Sequence, residues 1–169
     1  LGIKVKFSKK SFEITGNGLN GFDYKKNIKL DSGNSGTLGR LILGLLVHAK
    51  NKINIKGDKS LSRRDFSRIT NPLKKFGASF KTNSGKLPIT IIGTNQSKPI
   101  KYFEKRGSAQ CKSSVMLASL YTKGKTTIIA KKSRNHTELL FKYLGIPISI
   151  IKKKNYDLIE INGRKKIKP

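Results

Sequence analysis

Residues 87–107 read LPITIIGTNQSKPIKYFEKRG: two short strands, a turn marked by Gly93, and a polar step that ends in Gly107. The same order returns in residues 11–33 (SFEITGNGLNGFDYKKNIKLDSG) and in residues 157–169 (DLIEINGRKKIKP). Similar segments that recur at wide, regular spacing are typical of a fold built from copies of one supersecondary unit. The sequence therefore predicts an internal repeat.

The segments that follow the first two copies are also alike. Each predicts a helix, a strand, a polar connector, a second helix and a strand. The first helix, 35–49, carries one apolar stripe at helical spacing, formed by Leu38, Leu41, Ile42, Leu45 and Leu46. Its counterpart, 109–122, is apolar nearly all round and is predicted to be buried. The repeating unit is therefore βαβαββ, roughly seventy residues long.

The ends of the second helices are also predicted from the sequence. Gly77 and Gly145 follow the last apolar residues and are the expected stops. Ser62 with Asp65, and Asn135 with Glu138, have the spacing of capping boxes at the two starts.

The predicted fold class is α/β with repeated units. One unit covers 34–107 and the next covers 108–169, and the closing strands of a preceding unit occupy 1–33. Periodicity predicts a further helix pair upstream of Leu1, and the chain does not begin with Met. We therefore expect it to be a piece of a longer protein.

The charge of the chain is strongly basic. Thirty-seven Lys and Arg residues stand against nine Asp and Glu residues, a net charge of +28. Such a balance is a common property of nucleic-acid-binding proteins. The Lys residues are spread along the whole chain, however, and the aromatic residues fall mostly at predicted core spacings. A basic nucleic-acid-binding module is therefore kept as the alternative and is not preferred.

Several other classes of protein are disfavoured. The sequence has neither a secretory leader nor an apolar run long enough to span a membrane. A single cysteine, Cys111, excludes an intramolecular disulfide and suits a reducing cytoplasm. His48 and His136 have no Cys or carboxylate partner at metal-ligand spacing. We therefore predict a cytoplasmic protein with no cofactor and no metal.

Four segments have the composition of anion sites. Two helix starts, 31–37 (DSGNSGT) and 107–110 (GSAQ), carry small polar residues where backbone N–H groups and the helix dipole attract anions. Ser, Asn and Gly are also ordinary caps, so capping alone is the alternative interpretation. The connectors 62–65 (SRRD) and 133–136 (SRNH) add arginine, whose planar guanidinium matches carboxylate and phosphate. We expect all four segments to meet at one end and to bind small, multiply anionic metabolites.

Four segments, in order, resemble the family of 5-enolpyruvylshikimate-3-phosphate (EPSP) synthases. They are residues 33–40 (GNSGTLGR), 60–77 (SLSRRDFSRITNPLKKFG), 108–120 (SAQCKSSVMLASL) and 133–145 (SRNHTELLFKYLG). The resemblance covers essentially the whole chain. It implies two domains, each an inside-out α/β barrel of three βαβαββ units about a pseudo-threefold axis. This chain then corresponds to an incomplete part of one domain, without the other.

The resemblance also implies roles for individual residues. The residues implied for phosphoenolpyruvate are Asn34, Gly36, Thr37, Arg64 and Gln110. Those implied for shikimate 3-phosphate are Ser108, Ala109, Gln110, Ser133 and Arg134. Gly36 matches the glycine that leaves room for the inhibitor glyphosate, which implies a sensitive parent enzyme. Asp65 departs from the Pro that is usual after the connector arginine.

The family transfers enolpyruvate from phosphoenolpyruvate to the 5-hydroxyl of shikimate 3-phosphate and releases phosphate, on the route to chorismate and aromatic amino acids. The acid and base groups of the other domain have no counterpart here, so the resemblance implies no catalytic residue in this chain and no turnover by it alone. The expected partners are the two substrates and the second domain. The sister family, which acts on UDP-N-acetylglucosamine, and a nonfunctional remnant are the further alternatives.

Overall fold

A computed structural model describes residues 1–19, 21–24 and 27–163 of the 169-residue chain. Residues 20, 25 and 26 in the first predicted copy, and 164–169 in the third, lie outside the described residues. The strands are β1 (Lys4–Phe7), β2 (Phe12–Thr15), β3 (Ile28–Asp31), β4 (Ile53–Lys56), β5 (Ser79–Asn83), β6 (Lys86–Ile92), β7 (Lys101–Glu104), β8 (Gly124–Lys131), β9 (Ile148–Lys152) and β10 (Tyr156–Gly163). The α-helices are α1 (Gly36–Leu45), α2 (Lys59–Ser62), α3 (Ser67–Lys74), α4 (Ala109–Ser119) and α5 (His136–Tyr143), and a 3₁₀ turn, Leu46–His48, continues α1.

Two four-stranded sheets share one topology. Their strand orders are β3-β4-β6-β5 and β7-β8-β10-β9. In each sheet the first two strands run parallel and the remaining pairs run antiparallel. Parallel neighbours need a crossover connection, and α1 and α4 supply it. Each sheet with its helices is one βαβαββ unit, so the predicted α/β repeat is confirmed.

The predicted units cover 34–107 and 108–169. In the structure, the strand just before each of these ranges pairs with the strands of that unit. Ile28 of β3 pairs with Ile53 of β4, and Lys101 of β7 pairs with Thr127 of β8. The sequence marks turns clearly, but it does not say with which neighbour a strand forms hydrogen bonds. β1 and β2 form a separate antiparallel hairpin.

Helices α1 and α4 pack against each other with their backbones close together. A Cβ atom on Gly44 of α1 would lie 2.2 Å from the carbonyl oxygen of Ser114 on α4. The buried residues of α1 are accordingly Gly36, Gly39, Leu43 and Gly44. Of the predicted stripe, Leu46 is buried just after the helix and Ile42 and Leu45 are partly buried against the core, whereas Leu38 is 48% exposed. Glycine is required at this contact because no side chain fits. The predicted burial of α4 is confirmed, since most of its residues are buried.

The predicted C-terminal stops of the second helices are confirmed, whereas their N-terminal capping bonds are not the predicted ones. Gly77 and Gly145 have φ angles of +107° and +65°, the left-handed conformation that ends a helix. Asp65 accepts a hydrogen bond from the Ser67 amide at 2.7 Å, while Ser62 belongs to the separate short helix α2. Asn135 makes no side-chain capping bond.

The core lies between the helices and the inner faces of the two sheets. Its largest fully buried apolar side chains are Phe66, Phe76, Phe141, Leu43, Leu46, Ile53, Ile55, Leu61, Ile69, Leu73 and Ile89. None of the helices in the described ranges is long and apolar enough to cross a membrane.

Candidate functional site

The first turns of α1 and α4 are joined by one side chain, Gln110. Its Nε2 donates to Thr37 Oγ1 at 2.8 Å, and its Oε1 accepts from Arg40 Nη1 at 2.9 Å. Thr37 and Gln110 come from equivalent places in the two repeats. The two predicted anion-binding helix starts therefore lie side by side, and the repeat brings their backbone N–H groups to one end of the molecule.

Arg40 is the centre of a cationic cluster. Its guanidinium lies 3.4 Å from the Gly36 carbonyl oxygen and 5.2 Å from the centroid of the Phe66 ring. Burial lowers the pKa of Arg40, and the positive charges of Arg64 and Arg68 lower it further, while the Asp65 carboxylate opposes this shift. Arginine stays protonated even so, which leaves several like charges close together. A bound anion would relieve this repulsion.

Gly36 lies beneath this cluster. A Cβ atom at position 36 would stand 2.7 Å from Arg40 Nη1 and 3.2 Å from Arg64 Nη1. Both guanidinium groups therefore occupy the space that a side chain would fill. Arg64 reaches this place from the connector before α3, as the sequence predicted for an arginine of that segment.

Two open depressions adjoin the start of α4. The larger has a volume of about 460 Å³ and is lined by Gly107, Ser108, Ala109, Gln110, Ser133 and Arg134. The smaller, about 150 Å³, includes Thr37, Gln110 and Arg134 in its lining. Ser133 Oγ is buried and makes no hydrogen bond with the described residues. A buried hydroxyl without a partner is unusual, and here it lies beside Arg134.

The predicted site residues thus fall at one end of the molecule. Gly36 lies beside Arg64, Thr37 contacts Gln110, and Gln110 and Arg134 line the same depressions. Of the two connector arginines, Arg63 lines a different depression, with Asp58, Lys59 and Ser60.

Several polar groups at these helix starts are engaged in hydrogen bonds within the chain. Ser108 Oγ accepts from the Cys111 amide at 3.3 Å, so its hydroxyl caps α4 as the alternative interpretation expects. The Ser108 amide itself donates to Glu104 Oε2 at 2.8 Å. Asn34 uses its side-chain amide to donate to Asp58 Oδ2 at 2.7 Å, which ties the start of α1 to the cap of α2.

Sequence reasoning placed Arg40 in a segment with the composition of an anion site but gave it no individual role, and it missed the pairing of two further side chains. Arg40 stands one helical turn after Gly36, a spacing that the sequence does show. Lys112 of α4 and Glu138 of α5 form a buried ion pair, with Nζ and Oε1 2.5 Å apart. The predicted capping role of Glu138 is therefore wrong, because its carboxylate points to Lys112 instead. No local spacing indicates that pair, since 26 positions separate the two residues.

Known proteins resemble this chain over most or all of its length. The family described as EPSP synthase (3-phosphoshikimate 1-carboxyvinyltransferase) matches residues 1–169. A protein of Ruthia magnifica subsp. Calyptogena magnifica, named 3-phosphoshikimate 1-carboxyvinyltransferase, is 43% identical over 155 residues, which are 91% of this chain and 35% of that protein. A Thermoanaerobacter protein of the same name is 39% identical over 173 residues, 100% of this chain and 40% of its own length.

The fold has a close counterpart among solved structures. The EPSP synthase of Acinetobacter baumannii superposes with a TM-score of 0.88 at 33% identity, covering 99% of this chain and 37% of that one. This chain thus spans between about a third and two fifths of the relatives that it matches. Sequence, repeat topology and three-dimensional likeness agree: the chain belongs to the EPSP synthase (3-phosphoshikimate 1-carboxyvinyltransferase) family.

Proposed function

We propose that this chain forms the substrate-binding part of an enzyme that transfers enolpyruvate from phosphoenolpyruvate to shikimate 3-phosphate and releases phosphate. The observation that carries the proposal is the Gln110 bridge between the two helix starts, with Arg64 on one side and Arg134 on the other. Two anionic substrates that must react with each other need adjacent, cationic subsites. This arrangement supplies both.

The shikimate 3-phosphate subsite is proposed at the larger depression. The Ser133 hydroxyl and the Arg134 guanidinium would hold the phosphate, and Ser108, the Ala109 amide and Gln110 would bind the rest of the molecule. A dianionic phosphate satisfies the buried Ser133 Oγ and also the positive end of the α4 dipole.

The phosphoenolpyruvate subsite is proposed at the start of α1. Arg64 would pair with its carboxylate or phosphate, and the residues Asn34, Gly36 and Thr37 would face it with Gln110. Arg40 then holds Gln110 in place through the 2.9 Å hydrogen bond. An inhibitor that competes for this subsite, such as glyphosate, would depend on the space above Gly36.

The chain's contribution is binding and orientation. Proton transfer in this chemistry needs acid and base groups, which we assign to a second domain of the same polypeptide. Cytoplasmic action fits Cys111, which is buried and free as expected in a reducing compartment.

Calorimetric titration of the 169-residue chain tests the proposal. We expect one saturable site for shikimate 3-phosphate and markedly weaker binding of shikimate, because the phosphate provides the charge-assisted contacts. With both substrates present, a phosphate-release assay should detect no turnover. Equal binding of shikimate and its phosphate would contradict the assigned subsite. Turnover would contradict the assignment of the acid and base groups to a second domain.

Replacing Gly36 by Ala should separate substrate binding from folding. The added methyl group would meet the Arg40 and Arg64 guanidiniums at 2.7 and 3.2 Å, so Arg40 must move and Arg64 must give way slightly. We expect the hydrogen bond from Arg40 to Gln110 to be lost as a result. We expect phosphoenolpyruvate affinity, measured with shikimate 3-phosphate present, to fall about tenfold, since a hydrogen bond to a charged group contributes roughly 1.5–3 kcal/mol.

The melting temperature of Gly36→Ala should change little, because flexible side-chain ends, not backbone, stand in the way. Leu38→Ala is the matched control, since Leu38 lies on the exposed side of the same helix. Unchanged affinity in Gly36→Ala, or an equal loss in Leu38→Ala, would argue against the role given to this cluster.

A further inference from the structure

Lys112 and Glu138 form an ion pair that is almost completely buried. Their side chains are 1% and 3% exposed, and Lys112 Nζ lies 2.5 Å from Glu138 Oε1. The same Nζ donates a hydrogen bond of 3.0 Å to the backbone carbonyl of Arg134. Lys112 stands one turn into α4, Glu138 lies in the first turn of α5, and Arg134 belongs to the loop between β8 and α5.

Stability alone does not account for this pair. Removing two charges from water costs about as much as their attraction returns, so apolar residues of similar volume often replace a buried ion pair without loss. The second carboxylate oxygen, Glu138 Oε2, makes no hydrogen bond with the described residues. The Glu138 carboxylate is thus held by Lys112, and in turn it fixes the direction of the Lys112 Nζ.

Fixing Nζ fixes the backbone of Arg134. A lysine ammonium has three N–H donors, and two of them are directed at the carboxylate and at the Arg134 carbonyl. A second link, between Ser113 and Thr137 hydroxyls 2.7 Å apart, joins the same two helices. The exposed guanidinium of Arg134 is therefore carried on a backbone that is tied to α4, the helix whose start lines the larger depression.

We propose that Lys112 and Glu138 are a positioning pair for anion recognition. They hold residue 134 at a set distance from the amides at the start of α4, so that guanidinium and amides bind one phosphate together. This inference rests on the proposed function, because it takes Arg134 as a ligand of the phosphorylated substrate. The pair touches neither substrate and acts through the loop.

The test replaces both members of the pair in the full chain. Lys112→Met with Glu138→Leu exchanges the charges for apolar groups of similar length, which preserves folding while the Arg134 carbonyl loses its donor. We expect the melting temperature to stay within a few degrees of the parent chain. Amide hydrogen exchange in residues 133–136 should become about tenfold faster, and affinity for shikimate 3-phosphate should fall about tenfold, as loss of a charge-assisted hydrogen bond implies.

A matched control changes an exposed residue of α5. Leu139→Ala removes a side chain that is 55% exposed and leaves the ion pair, so exchange at 133–136 and affinity should both stay near the parent values. If the double variant with Met and Leu does not fold, Lys112→Gln with Glu138→Gln provides a polar, uncharged pair. The glutamine side chain at position 112 is shorter than lysine and does not reach the Arg134 carbonyl.

The outcomes separate the two claims. Unchanged exchange and unchanged affinity at an unchanged melting temperature would overturn the positioning role and leave the proposed function intact. A parent chain that does not bind shikimate 3-phosphate, while exchange still accelerates in the variant, would overturn the proposed function instead. Faster exchange with weaker binding supports both.

Discussion

Replacing Arg134 by Ala should weaken the binding of shikimate 3-phosphate to this chain about thirtyfold, because a charge-assisted contact to phosphate contributes roughly 2 kcal/mol. Arg134 is the exposed cation that lines both depressions at the start of α4. Its backbone is held by Lys112, so the substitution removes the guanidinium without releasing the loop. Isothermal titration of parent and variant measures the effect.

Arg63→Ala is the control for this prediction. It removes the same charge from a connector loop, but Arg63 lines a separate depression beside Asp58. If loss of net charge alone were responsible, both variants would weaken binding equally and both losses would shrink as salt is added. Equal losses would therefore contradict a specific role for Arg134.

Gly44→Ala should lower the free energy of unfolding by about 3 kcal/mol, the upper end of what overpacking a core normally costs. A methyl group at position 44 would stand 2.2 Å from the carbonyl oxygen of Ser114, so α1 and α4 must separate. Separation also strains the hydrogen bond from Ser114 Oγ to the Arg40 carbonyl, which is 3.0 Å long. Urea denaturation followed by far-UV circular dichroism measures the change.

Gly16→Ala serves as the comparison for Gly44→Ala, because a Cβ atom at position 16 meets nothing within 4 Å. That variant should stay within about 1 kcal/mol of the parent chain, as surface substitutions usually do. A Gly44→Ala chain as stable as Gly16→Ala would mean that the two helices do not cross at backbone contact.

The repeated unit was predictable because its sequence pattern recurs along the chain. The turn glycines Gly16, Gly93 and Gly163 stand at similar spacing, and two helix pairs have the same order of polar and apolar residues. Together they indicate one supersecondary unit used again. Once the unit is known, equivalent helix starts must lie at the same end. The proximity of Thr37 to Gln110 therefore follows from topology, and their hydrogen bond is its consequence.

Contacts between helices were not predictable in the same way. The buried side of α1 depends on how closely α4 approaches. A hydrophobic pattern is dominated by leucines and gives glycines little weight, so it does not indicate such a contact. The pairing of Lys112 with Glu138 joins two helices across the fold, so local spacing suggested a cap instead. The residues assigned to the two proposed subsites could be selected from the sequence, whereas the contacts that hold them in position could not.

The central claim is that the starts of α1 and α4 and the loop of Arg134 form one binding site for a phosphorylated substrate. Amide NMR spectra of the ¹⁵N-labelled chain, recorded during titration with shikimate 3-phosphate, test it most directly. The account predicts saturable shifts that concentrate at residues 107–110 and 133–134 and extend to 36–37 across the Gln110 bridge. Shifts spread over the lysines of the outer sheet surfaces, or confined to the depression beside Arg63, would contradict it.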